Sequence, residues 1–137
     1  MKQIKFRVWD KNFQEMSPVA KMGFDGNANT IIVETDPPGD EYTTLEHGVG
    51  GILMQFTGLH DRNGKEIWEG DIVLINHPDD MTGDFTNARG VVFWWDEEGA
   101  WYHGNESGRP PKRMWDYVEA IGNKWEHPHL LPAEEAQ

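Results

Sequence analysis

Because the chain holds no cysteine, its reactive side chains are carboxylates, imidazoles, hydroxyls and indoles. Disulfide frameworks, thiolate nucleophiles and cysteine-based zinc or iron–sulfur sites are excluded. Asp61-Arg62-Asn63-Gly64-Lys65-Glu66 gathers oxygen-bearing side chains as a calcium loop does. The EF-hand pattern, however, needs oxygen ligands at positions 1, 3, 5 and 12 and flanking helices, which are absent. The Asn63-Gly64 pair instead reads as the turn of a β-hairpin. His127 and His129, beside Glu126, offer two imidazoles, fewer than the three or four ligands a zinc ion takes. His77 with Asp79, Asp80 and Asp84 is a second candidate for a divalent cation, at spacings that impose no common geometry. Both read as solvated surface clusters, so neither a metal nor a cofactor is expected.

Catalysis has no better footing. A Gly-x-Ser-x-Gly elbow, a His-Glu-x-x-His helix, a Walker A loop and a dinucleotide fingerprint are all missing. The serines are Ser17 and Ser107, neither in a recognisable activating context. The paired acids Asp79-Asp80 and Glu97-Glu98 fall in expected turns, whereas acid–base work needs a pocket that drives two proton affinities apart. The expectation is a protein that is not an enzyme.

Trp94, Trp95, Trp101 and Tyr102 form the densest aromatic group, around the acidic turn Asp96-Glu97-Glu98-Gly99. Seven tryptophans are many for a core of this size, since each brings a large apolar face and an N–H that needs a partner. Strand alternation puts Trp94 and Trp95 on opposite faces, one inward and one outward. An outward aromatic with Trp101 across the hairpin would anchor a partner, because such residues dominate interface hot spots. The competing reading is cross-strand packing that only stiffens the sheet. Trp94, Trp95, Trp101 and Tyr102, with Glu97 and Glu98, are therefore the candidate partner-binding surface.

The elements that must position these residues are strands. Ile4, Phe6 and Val8 alternate with Lys5 and Arg7, a half-buried strand. Lys21-Met22-Gly23-Phe24 and the β-branched run Thr30-Ile31-Ile32-Val33-Glu34-Thr35 flank a turn-forming Asp25-Gly26-Asn27-Ala28-Asn29, a second hairpin. Two prolines bar Asp36-Pro37-Pro38-Gly39-Asp40-Glu41 from a sheet ladder. Ile52 to Thr57 and Glu66 to Ile75 read as one strand each, as do Gly90 to Trp95, Ala100 to Tyr102 and Tyr117 to Gly122. His127-Pro128-His129-Leu130-Leu131 reads as one short turn of helix. The fold class is mainly β: a small barrel-like domain, SH3-like or a pseudo-barrel, with an N-terminal β layer and a short C-terminal helix. The whole chain, 1–137, reads as a single domain: a β layer over 1–36, a linker over 37–51, a barrel core over 52–131 and a polar tail over 132–137.

The stretch from Leu53 through Gln55-Phe56-Thr57-Gly58, Asp61-Arg62-Asn63-Gly64 and Ile67-Trp68-Glu69-Gly70-Asp71 to Val73 resembles the signature of the YopX family of phage and prophage proteins. Lys5-Phe6-Arg7-Val8-Trp9-Asp10 fits it near the start. Glu119-Ala120-Ile121-Gly122-Asn123, with Glu126, Pro128, Leu130 and Leu131, fits near the end. Ala120 and Lys124 depart from the pattern, and the acidic, Trp-rich segment from Asp79 to Trp101 lies outside it. The resemblance implies a mainly β domain that self-associates and a phage or prophage source, and it implies no reaction. In physical terms Gly58, Gly64 and Gly70 serve turns, Phe56, Ile67, Ile72 and Val73 serve a core, and Asp71 caps or pairs at a strand entrance.

Composition narrows the function classes. Residues 1–68 carry 7 basic against 10 acidic side chains, and residues 69–137 carry 5 against 14, for a net charge of −12. Direct nucleic-acid binding is disfavoured, since phosphate contact needs a basic stripe. The N-terminus has no apolar leader core and the longest apolar runs are a few residues, so neither export nor a membrane span is expected and the location is the cytoplasm of the bacterial host. The leading reading is a small homo-oligomeric interaction module whose partner is another protein. The second is an acidic anti-host inhibitor that mimics nucleic-acid charge. The third is an accessory factor in nucleic-acid metabolism.

Overall fold

The computed structural model describes residues 3–26, 30–35, 43–75, 88–105, 115 and 117–131. They form ten strands: β1 Phe6–Asp10, β2 Glu15–Asp25, β3 Thr30–Thr35, β4 Thr44–Glu46, β5 Gly51–His60, β6 Glu66–Trp68, β7 Asp71–Ile75, β8 Ala88–Trp95, β9 Ala100–Asn105 and β10 Val118–Asn123. The protein is mainly β, as its alternating runs lead one to expect. The chain separates into two compact units, Met1–Phe56 and Thr57–Gln137.

In the first unit the strand order is β4-β3-β2-β1-β5. Its core is Val8, Val33 and Leu45, with Val19, Ile31 and Leu53 packed against them. The expectation for β1 was one buried face. Instead Val8 and its neighbour Trp9, which point to opposite faces, are both buried while Ile4, ahead of the strand, is 72% exposed; β1 lies between β2 and β5, with both edges hydrogen-bonded. Asp10 is also buried, its Oδ1 accepting the backbone N–H of Asn12 at 2.9 Å and of Phe13 at 3.1 Å. That is how a short acid closes a turn without leaving donors unpaired.

In the second unit the end of β5 pairs with β6, and a four-stranded sheet runs β10-β7-β8-β9. Ile67, Val73, Ile75, Val92, Trp101 and Val118 form its core, flanked by Leu59 and Trp115. The run from Glu66 to Ile75, expected as one strand, is two. Gly70 takes φ 83° and Asp71 Oδ2 accepts the Trp68 N–H at 2.8 Å, which turns the chain between β6 and β7. Asp71 thus caps a strand entrance, and Gly64 and Gly70 serve turns. Gly58, by contrast, has its φ of 83° inside β5, where Thr57 Oγ1 accepts the Leu59 N–H at 3.0 Å and donates to the Ile67 carbonyl at 2.6 Å.

The described sheets do not close into a barrel. Barrel closure needs a hydrogen-bond ladder between the first and last strands, and the described strand orders are open, with β4 at one edge of the first sheet and β9 and β10 at the edges of the second. The C-terminal helix shrinks to a single 3-10 turn, Pro128–Leu130, because Leu131 is already extended at φ −115°, ψ 155°. Among the described residues no helix is long and apolar enough to cross a membrane.

Candidate interaction surface

Strands β8 and β9 pair antiparallel with Phe93 opposite Tyr102, Trp94 opposite Trp101 and Trp95 opposite Ala100. Alternation therefore sorts the aromatics onto two faces. Val92, Trp94, Trp101 and His103 share the core side, where Val92, Trp101 and His103 are buried and Trp94, nearest the turn, remains 43% exposed. Trp94 sets its ring edge-to-face on Trp101, centroids 5.2 Å apart, a geometry that the ring quadrupoles favour. On the other face Phe93, Trp95 and Tyr102 form a half-buried trio, with Trp95 and Tyr102 edge-to-face at 4.9 Å and Phe93 tilted at 6.3 Å and 6.5 Å from them. Trp94 and Trp95 do lie on opposite faces, but the more exposed of the two is Trp94, on the core side, and Trp95 on the other face is half-buried. The buried indole belongs to Trp101 on the neighbouring strand.

The turn between them is tight. Glu98 and Gly99 both donate their N–H to the Trp95 carbonyl, at 3.1 and 2.8 Å, and Gly99 adopts φ 61°. Asp96, Glu97 and Glu98 are all exposed. The hairpin thus presents an exposed indole and three solvated carboxylates at one end. At its other end a Cβ on Gly90 would run into the Gly104 backbone carbonyl, so glycine is needed for β8 and β9 to approach.

Other sequence candidates resolve into structure. Asp61 is buried, and Oδ1 accepts the N–H of Asn63 and Lys65 while Oδ2 accepts that of Ala120, each at 2.9 Å. The Asn63-Gly64 turn therefore forms as expected, and the same carboxylate ties it to β10. Burial works to raise the Asp61 pKa, but the Ala120, Lys65 and Asn63 N–H donors and the Lys65 ammonium outweigh it and hold it below the ordinary value. His127 and His129 stack edge-to-face at 6.1 Å, and His127 Nδ1 is occupied in accepting the Asn123 N–H at 3.2 Å. Asn123 Oδ1 accepts from Trp125 and Glu126, and its amide donates to Glu126 Oε1. A Cβ on Gly122 would come within 2.7 Å of His127 Nδ1. This is a clasp that ends β10, and Arg89 secures the chain beyond it by donating to the Leu130 carbonyl at 2.8 Å.

Ser17 lies in β2 opposite Val8. His77, Asp79, Asp80, Asp84, Ser107 and the polar tail lie outside the described residues. Among the described residues no three or more His, Asp or Glu side chains are grouped to hold a metal ion. Sequence reasoning missed His103, which is buried and sets its ring edge-to-face on Trp115 at 4.9 Å. Its place one alternation step beyond Trp101 was the available signal.

The family model described as YopX protein matches residues 5–132. The chain belongs to the YopX family. The match spans both units and all ten strands, and in this YopX chain the polar signature positions Asp10, Asp61, Asp71 and Asn123 each cap a turn through a side-chain oxygen. The fold is similar to the crystal structure of protein EF1440 from Enterococcus faecalis, with a TM-score of 0.59 at 23% identity, covering 96% of this chain and all of that one. No curated protein matches.

Proposed function

We propose that the chain is a non-enzymatic protein-interaction module, encoded by a phage or prophage and acting in the cytoplasm of the bacterial host, that self-associates and docks a protein partner through the β8–β9 hairpin. The carrying observation is Trp94, an indole left 43% exposed on a sheet whose other core-side aromatics are buried. An indole held edge-on by Trp101 is already ordered, so little side-chain entropy is lost when a partner covers it. The carboxylates of Asp96, Glu97 and Glu98 beside it suit a partner carrying lysine or arginine, whose cation gains from both the acids and the ring face. Wild-type chain and a Trp94→Ala variant, each tagged and compared by quantitative pulldown from host cells, test this. A protein enriched by the wild type and lost with the variant supports it, and identical recovery removes it.

The concentration of acidic charge after residue 68 favours one second reading, an inhibitor that offers carboxylates to a nucleic-acid-binding surface of a host enzyme. Capture would then fall steeply between low and high salt. Capture that persists at high salt while remaining sensitive to Trp94 decides for the aromatic anchor.

A further inference from the structure

Strand β2 exchanges its neighbours midway. Residues 15–18 pair with β1 on one side, and residues 19–25 pair with β3 on the other, with a register shift between Val19 and Lys21. Beyond Pro18 no described strand pairs with the side of β2 that β1 leaves. Every residue from 20 to 25 is exposed although all lie in a strand, with Met22 at 42% and Phe24 at 64%. A Cβ added to Gly23 would meet nothing within 4 Å. An open strand edge bearing exposed apolar side chains is a template for another strand.

The occupant is written in the strand itself. Lys21-Met22-Gly23-Phe24-Asp25 is self-complementary when two copies run antiparallel about Gly23. Lys21 then faces the partner subunit's Asp25, Met22 faces the partner subunit's Phe24, and the two Gly23 residues meet on the two-fold axis. Unlike charges and apolar pairs directly opposite one another are the contacts that stabilise a sheet, and a symmetric interface requires that each contact occur twice. Sliding the register by one residue sets Lys21 against an apolar residue or glycine and loses both charge pairs. A lysine on an edge strand ordinarily discourages pairing, but here each lysine meets a carboxylate. We infer that residues 21–25 of β2 form a homodimer interface by antiparallel edge pairing with a second copy of this chain. This inference rests on the self-association proposed above and gives it a surface separate from the β8–β9 hairpin, so Trp94→Ala leaves the dimer intact and loss of the dimer is distinguishable from loss of partner docking.

Sedimentation over a wide concentration range tests it with charge reversals at exposed positions. Wild type should reach twice the 15.7 kDa of one chain. Lys21→Asp alone opposes acid to acid and Asp25→Lys alone opposes lysine to lysine, so each sediments as a single chain. The two single variants mixed in equal amounts restore the double mass, as does the chain carrying both reversals. Phe24→Lys, which sets a cation against Met22, gives a single chain as well. Far-UV circular dichroism matching wild type shows that the variants fold. A wild type that stays at single-chain mass, reversals that keep the wild-type mass, or a mixture that stays at single-chain mass overturns the inference.

Discussion

Two tryptophans on adjacent strands, opposite each other in register, carry different loads. Trp101 is buried in the second unit's core, so Trp101→Ala should destabilise the protein by about 3–5 kcal/mol through lost transfer energy and the cavity left behind. Trp94 is exposed and contributes mainly its edge contact, so Trp94→Ala should cost about 1 kcal/mol. Urea unfolding of both variants distinguishes them. Asp61 is structural in the same quantitative sense. Asp61→Ala leaves the N–H groups of Asn63, Lys65 and Ala120 without their acceptor and should cost about 3 kcal/mol, while Asp61→Asn keeps one acceptor oxygen and costs less. Because the folded state holds this carboxyl below its unfolded value of about 3.9, its contribution is present above that pH and is lost as pH falls through the lower folded value. The stability gap between wild type and Asp61→Asn should therefore be full at pH 7 and narrow progressively as pH falls below the unfolded value.

At the scale of elements, the β8–β9 hairpin depends on glycine as much as on its aromatics. Gly90→Ala drives a Cβ into the Gly104 carbonyl, and backbone has little room to yield, so the strands must separate at that end. We expect a loss of about 1–3 kcal/mol and a red shift of tryptophan fluorescence as Trp101 gains water. Most of the strands were legible from their local composition: β1 and β10 through alternation, β3 as a β-branched run, β5 by apolar content, and β8 and β9 as apolar runs on either side of a turn. The first half of β2 and the short β4 were not, because Glu15 to Ala20 and Thr44-Leu45-Glu46 have too little alternation to declare a buried face. The break between β6 and β7 falls at the polar Glu69-Gly70-Asp71, where Gly70 takes a positive φ and the Asp71 carboxylate accepts the Trp68 N–H, a turn that the flanking apolar residues alone do not announce. At the candidate surface, sequence placed the aromatics in one hairpin. Which indole stays exposed is decided by distance from the turn and by the core beneath, which periodicity does not carry.

For the whole molecule, short strand runs and turn residues pointed to a β protein, and the open sheets show what they left out. A barrel and an open sheet share the same alternating strands and differ only in whether the edge strands find each other, a long-range pairing that no local pattern records. Four polar positions of the family signature, Asp10, Asp61, Asp71 and Asn123, are turn caps, so these positions serve the architecture and leave the function to be argued from the residues around them. The net charge of −12 adds a condition on any partner: association through Asp96, Glu97 and Glu98 should slow as salt is raised, with the on-rate falling more than the off-rate rises. The central claim, that the β8–β9 hairpin is a docking surface, is tested most directly by quantitative pulldown with wild-type and Trp94→Ala chains side by side, the variant first verified as folded. The account predicts a host or phage protein enriched by the wild type and reduced at least tenfold, or about 1.4 kcal/mol, by the substitution. Equal enrichment by both chains, or none by either, would contradict it.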